Sequence, residues 1–120
     1  MKVAVTAQGK DLAATVDSRF GRAKFFVVVD PETGEFSASD NSQNLNAAQG
    51  AGIQAGRNVV DLGVDAVITG NVGPKAFATL QAGEVKIFTG ATGTVAEAVA
   101  QFKAGQLKEA AASNVESHWV

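Results

Sequence analysis

No cysteine occurs in this 120-residue chain, and histidine, tryptophan and methionine occur once each. The missing thiols exclude disulfides, thiolate ligands for zinc or iron–sulfur sites, cysteine nucleophiles and CxxC redox chemistry together. With a single imidazole, most protein-built metal cages are excluded as well. Whatever group binds here is held largely by backbone amides, Arg, Lys and hydroxyls, or brings its own ligands. Long hydrophobic runs are also absent. No stretch approaches the roughly 20 apolar residues that span a bilayer, and the sequence begins directly in a strand-like segment without a signal-peptide pattern. The expectation is a cytoplasmic protein with no membrane partner. A formal charge of −2 gives no global attraction for nucleic acid, so such a partner would need a local basic patch, and none is expected.

What is present suits one hydrophobic core. The length matches a single domain, and 46% of the residues are hydrophobic. Residues 1–105 read as one α/β domain, and 106–120, which show no strong period, as a C-terminal tail ending in His118-Trp119-Val120. Lys2–Ala7 reads as a strand, and Gln8–Arg22 as a long polar loop of the kind that is often functional. Ala23–Asp30 and Glu35–Asp40 read as a hairpin around Asp30-Pro31-Glu32-Thr33-Gly34, with the second strand at an edge. After a polar loop over Asn41–Asn46, the pattern predicts a helix over about Gln49–Leu62, stopped by Gly63. Gly50, Gly52 and Gly56 weaken that helix, which points to close backbone packing or to a ligand. The chain then alternates: strand Asp65–Thr69, helix Gly73–Ala82, strand Glu84–Phe88, helix Thr94–Ala104. In the last helix Val95, Ala98, Val99 and Phe102 make one apolar face, and Thr94 with Glu97 forms a capping box. Strands separated by such helices form a parallel sheet.

Ligands of open parallel sheets lie beyond the carboxyl ends of the strands, here the segments after Ala7, Thr69 and Phe88. Gly70-Asn71-Val72-Gly73-Pro74-Lys75 combines two glycines with a helix start, so it is either an anion seat or simply a tight connection. Thr89–Thr94 resembles it, with capping sufficient to explain Thr94. Neither loop fits GxxxxGK[ST] or GxGxxG. The long loop ends in Arg19-Phe20-Gly21-Arg22-Ala23-Lys24, which places two guanidiniums and an ammonium within six residues and suits a multivalent anion. The plainer reading is a solvated basic loop with Phe20 tucked into the core. No Ser, Asp or His arrangement supplies a catalytic base or nucleophile, so no enzyme is expected. His118 has no second His or Cys with which to build a metal site.

Three segments together resemble one family: Asp17-Ser18-Arg19-Phe20-Gly21-Arg22-Ala23, Gly50-Ala51-Gly52-Ile53-Gln54-Ala55, and Gly63–Phe77 with its Gly70-Asn71-Val72-Gly73-Pro74 core. The chain resembles the dinitrogenase iron–molybdenum cofactor biosynthesis family, whose members include small carriers of metal–sulfur clusters. The resemblance implies a ribonuclease H-like fold with a mixed five-stranded sheet, an antiparallel edge hairpin and helices on both faces. It brings no nuclease, because Val3-Ala4-Val5-Thr6-Ala7 offers no carboxylate for metal ions. The small size and missing cysteines are most like those members that carry a molybdenum–copper sulfide cluster without covalent attachment. The implied site is then cofactor-binding with no direct metal ligand. Arg19, Arg22 and Lys24 supply charge around Phe20 and Gly21, Gly70, Asn71 and Gly73 supply donors and close approach, and Gly50, Ala51, Gly52 and Ile53 form the opposite side. A monomer is expected, with protein partners for cluster delivery. The other readings are an interaction or regulatory module without a cluster, and an enzyme on a small oxyanionic substrate.

Overall fold

The computed structural model describes residues 1–41 and 51–113. Among them a six-stranded mixed sheet forms, in the order β3-β2-β1-β4-β5-β6. The strands are β1 (Val3–Ala7), β2 (Phe25–Val29), β3 (Phe36–Asp40), β4 (Ala66–Ile68), β5 (Lys86–Thr89) and β6 (Lys108–Glu109). The helices are α1 (Ala51–Asp61), α2 (Pro74–Ala82) and α3 (Val95–Lys103). Strands β1, β4 and β5 run parallel, β2 and β3 continue antiparallel on one side, and β6 closes the other side antiparallel to β5.

Every residue of β1 is buried, as expected of a central strand covered on both faces. Alternation along the strands sorts the core into two layers. Ala4, Phe26, Val67 and Ile87 face one way, toward Ala55 and Val59 of α1 and Ala76 and Leu80 of α2. Val3, Val5, Ala7, Val27, Val29 and Ile68 face the other way, toward Val95, Ala98 and Val99 of α3. Strand β3 is almost wholly exposed and, among the described residues, pairs only with β2, which makes it the expected edge. Its hairpin is set by Asp30, whose carboxylate accepts from the Glu32 amide at 2.9 Å while Gly34 takes a φ of 80°.

The sheet has one strand more than the five expected. Strand β6 is only two residues long, with Phe88 opposite Glu109 and Thr89 opposite Lys108. Two exposed polar residues carry no hydrophobic period, so the segment after Gly105 shows no strand signal in the sequence. The long loop is also more ordered than expected. Ala7 pairs with Val16, Thr15 pairs with Thr94, and residues 20–22 form a short 3-10 turn. The predicted helices and remaining strands form within a few residues of their expected limits. No helix among the described residues is long and apolar enough to cross a membrane. The tail residues His118, Trp119 and Val120 lie outside the described residues.

Candidate functional site

The segment Arg19–Lys24 begins at a side-chain turn. The Asp17 carboxylate accepts from the Arg19 amide at 3.0 Å, and the 3-10 turn Phe20–Arg22 follows. Arg19 stands in extended backbone at the start of this turn and Arg22 closes it, so the two guanidiniums flank the turn. Between them Phe20 is 1% exposed and Gly21 is buried. Phe20 packs 5.6 Å from Phe26, ring centre to ring centre, in the same core layer as Ala55, Val72 and Ala76. The plainer reading of Phe20 therefore describes its surroundings: it is the apolar anchor beneath the charges. Arg19 and Lys24 are exposed and Arg22 is half-buried, and both arginines have interaction partners within the fold.

This segment lies directly over the carboxyl end of β4. Arg19 and Asn71 form a parallel bridge, in which the Phe20 amide donates to the Asn71 carbonyl at 3.2 Å. The Asn71 amide and its Nδ2 both donate to the Ser18 carbonyl, at 2.8 and 3.1 Å. Gly70 is needed for this approach: a Cβ there would sit 2.8 Å from Ser18 Cα and 2.9 Å from the Ser18 carbonyl oxygen. The close backbone contact at Gly70 is thus made with the chain itself, and the Asn71 donors hold the basic segment in place. Gly73 is buried and caps α2 without a side-chain hydrogen bond, with Pro74 in the first turn.

The neighbouring loops are bound into the same layer. The Val16 amide donates to the Gly93 carbonyl, and the Gly90 amide to that of Gly70. Below them, the hydroxyls of Thr6 and Thr69 meet at 2.9 Å, and Thr6 Oγ1 donates to the Asp17 carbonyl at 2.7 Å. Both threonines are fully buried. They stand at the carboxyl ends of the two adjacent parallel strands, where the chain divides between the two halves of the sheet.

Helix α1 packs on the 3-10 turn and on α2. Its Ala51 and Gly52 are buried and Ile53 is half-buried, whereas Gly50 lies outside the described residues. Gly56 serves helix packing, since a Cβ there would come within 2.9 Å of Thr79 Cγ2 on α2. Thr94 and Glu97 make both hydrogen bonds of a capping box, at 3.0 and 3.1 Å, which accounts for Thr94 without a ligand. Phe20 of the first resembling segment thus shares its core layer with Ala55 of the second and Val72 and Ala76 of the third.

Several residues of this region are not singled out by the sequence. Lys10 places Nζ 5.4 Å from the centre of the Phe25 ring, adding a cation near the start of β2. Ser18 supplies the carbonyl that Asn71 grips. Asn41, which reads as an ordinary turn residue, is fully buried. For Thr6 and Thr69 a signal exists, because each is the polar residue at or just beyond the carboxyl end of an otherwise apolar strand. No group of three or more His, Cys, Asp or Glu side chains that could hold a metal ion occurs among the described residues.

Residues 1–105 match the dinitrogenase iron-molybdenum cofactor family. The fold matches the apo form of the orange protein from Desulfovibrio gigas with a TM-score of 0.92 and 43% sequence identity, covering 95% of this chain and 96% of that one. It also matches a Thermotoga protein of the DUF35 family with a TM-score of 0.78 and 39% identity, over 90% of this chain and 91% of that one. An uncharacterized protein of Methanocaldococcus jannaschii is 27% identical over 111 residues, 91% of each chain.

Proposed function

The chain belongs to the dinitrogenase iron-molybdenum cofactor family, and on that footing we propose that it is a non-catalytic carrier of an anionic metal–sulfide cluster, of the molybdenum–copper sulfide type, held without covalent attachment. The observation that carries this reading is the bridge between Arg19 and Asn71, which sets the basic segment Arg19–Lys24 over the strand ends where ligands of such sheets lie. The donor set fits a cluster that brings its own sulfides. Amides, guanidiniums and an ammonium can neutralise and hydrogen-bond sulfide, and the chain has no thiol with which to replace it. Arg19, Arg22 and Lys24 supply the charge, with Phe20 and Gly21 as the apolar base. Gly50, Ala51, Gly52 and Ile53 form the opposite wall. Gly70 and Asn71 contribute by holding the basic segment, Gly70 through its close approach to Ser18 and Asn71 through its donors, and Gly73 by close approach at the start of α2. The ribonuclease H-like reading of the fold belongs to the same proposal and brings no nuclease, because threonines stand at the ends of β1 and β4 where metal-binding carboxylates would be required.

Reconstitution of the metal-free protein with tetrathiomolybdate and copper tests the proposal. An intense visible absorption that elutes with the protein is expected, and the double variant Arg19→Ala/Arg22→Ala should lose it. A double variant that keeps the colour would refute the role of the basic turn. Absence of affinity in the unaltered protein would refute the carrier reading and favour an interaction module.

A further inference from the structure

Asn41 is the one large polar side chain among the most deeply buried residues described, at 0% exposure. Its amide donates to the Lys24 carbonyl at 2.7 Å, and its Nδ2 donates to the Ala23 carbonyl at 2.8 Å. Through its backbone N–H and its side chain it therefore grips two successive carbonyls of the basic segment, one on each side of the Lys24 Cα. Its Oδ1 accepts from Asn58 Nδ2 at 3.1 Å, and Asn58 Oδ1 accepts from Gln54 Nε2 at 3.1 Å. Gln54 and Asn58 lie four residues apart on α1 and so share one face of that helix. A chain of three amides thus runs from α1 through the end of β3 to the segment that carries Arg22 and Lys24.

A buried amide is costly unless its hydrogen bonds are made, and once made it fixes its partners in a single geometry. Apolar packing could seal this corner of the core without specifying any such geometry. We propose that Asn41 is a positioning residue of the site. It locks the Arg22–Lys24 stretch to α1, so that the cationic segment and the amino-terminal turn of α1 meet an anionic ligand as one rigid body. This inference rests on the cluster-carrier reading for the identity of the ligand, but the lock itself exists in the ligand-free protein.

Two variants test it: Asn41→Ala, which removes the grip on Ala23, and Asn58→Leu, which severs only the link to α1 and keeps the inquiry open if Asn41→Ala does not fold. Amide hydrogen exchange of the ligand-free proteins is compared at residues 19–24 and, as an internal control, in β5 and α3. Tetrathiomolybdate with copper then serves as the probe, read by affinity and by visible circular dichroism. Faster exchange confined to residues 19–24 is expected, with roughly tenfold weaker retention of the probe, as for supporting residues that orient a metal site, and an altered circular dichroism band shape. Exchange that rises evenly across the fold, with the band shape and affinity unchanged, would make Asn41 a stability residue only and overturn the proposal. Failure of the unaltered protein to bind the probe would strike the carrier reading instead, and the exchange pattern at 19–24 would still decide for or against the lock.

Discussion

Gly70 shows how one missing atom positions the candidate site. Its backbone lies so close to Ser18 that a Cβ would meet main-chain atoms at 2.8–2.9 Å, and main chain cannot swing aside as the end of a long side chain can. Gly70→Ala should therefore cost about 1–3 kcal/mol of stability in urea unfolding, the usual penalty for overpacking a close contact. The strain falls on the Arg19–Asn71 bridge, so the basic segment should shift even where the variant folds. At the opposite end of the sheet, Asp30 illustrates a purely local effect. The Glu32 amide donates to its carboxylate and holds its pKa below the ordinary value of 3.8, despite opposition from desolvation. A carboxylate with a depressed folded-state pKa contributes stability that is present above 3.8 and is lost as pH falls through the lower folded value. An NMR pH titration should find Asp30 titrating below 3.8, and Asp30→Asn should abolish that acid-range component of stability.

At the scale of elements, α3 and the long loop depend on each other. The amide of Val95 donates to the Ala14 carbonyl and that of Ala96 to Leu12, so the loop caps the first turn of the helix that Thr94 and Glu97 begin. Removing the Thr94 hydroxyl orphans the Glu97 amide at that end. Thr94→Ala should lower stability by about 1 kcal/mol, the usual cost of a lost cap, as measured by thermal or denaturant unfolding. Because Thr15 is bridged to Thr94, hydrogen exchange should also speed up in residues 12–16. Helices α1 and α2 show a second form of dependence. Gly56 lets the two approach at Thr79, and their joint core surrounds Phe20, so the packing of two helices sets the seat of the basic turn.

Over the whole molecule, a net charge of −2 conceals an uneven distribution. Asp30, Glu32, Glu35, Asp65 and Glu84 fall at or near the amino ends of the parallel strands, offset by Lys2 and Lys86. Arg19, Arg22 and Lys24 gather at the carboxyl end, offset by Asp17 and Asp40. A basic segment of this kind attracts an anion locally even where the total charge is negative. Screening shortens from about 10 Å at 0.1 M salt to about 3 Å at 1 M, so affinity for tetrathiomolybdate with copper should fall several-fold over that range. Salt-independent affinity would mean that contact hydrogen bonds, rather than the field of the basic end, dominate retention.

Much of this architecture is legible in the amino-acid sequence because it rests on local chemistry. The Asp30–Gly34 turn, the Thr94–Glu97 cap, the Val- and Ala-rich β1 and the alternation of strands and helices after Gly63 each follow from residues a few positions apart. So does the basic character of Arg19–Lys24, and so does the exclusion of thiolate chemistry by the absence of cysteine. The relation between distant segments was decided only in three dimensions. Gly70 and Ser18 are 52 positions apart, and nothing local tells a glycine that faces a ligand from one that faces another stretch of backbone. Asn41 and Asn58 likewise read as turn and helix-surface residues until the fold brings them together. Strand β6, only two exposed residues long, exists because β5 offers it an edge. Backbone hydrogen bonds and close contacts of this kind depend on where chain segments meet, whereas composition, period and caps depend only on near neighbours. The sequence by itself therefore determined which donor groups the chain can offer, and the tertiary structure decided which distant segments meet at the strand ends and which residues hold them together.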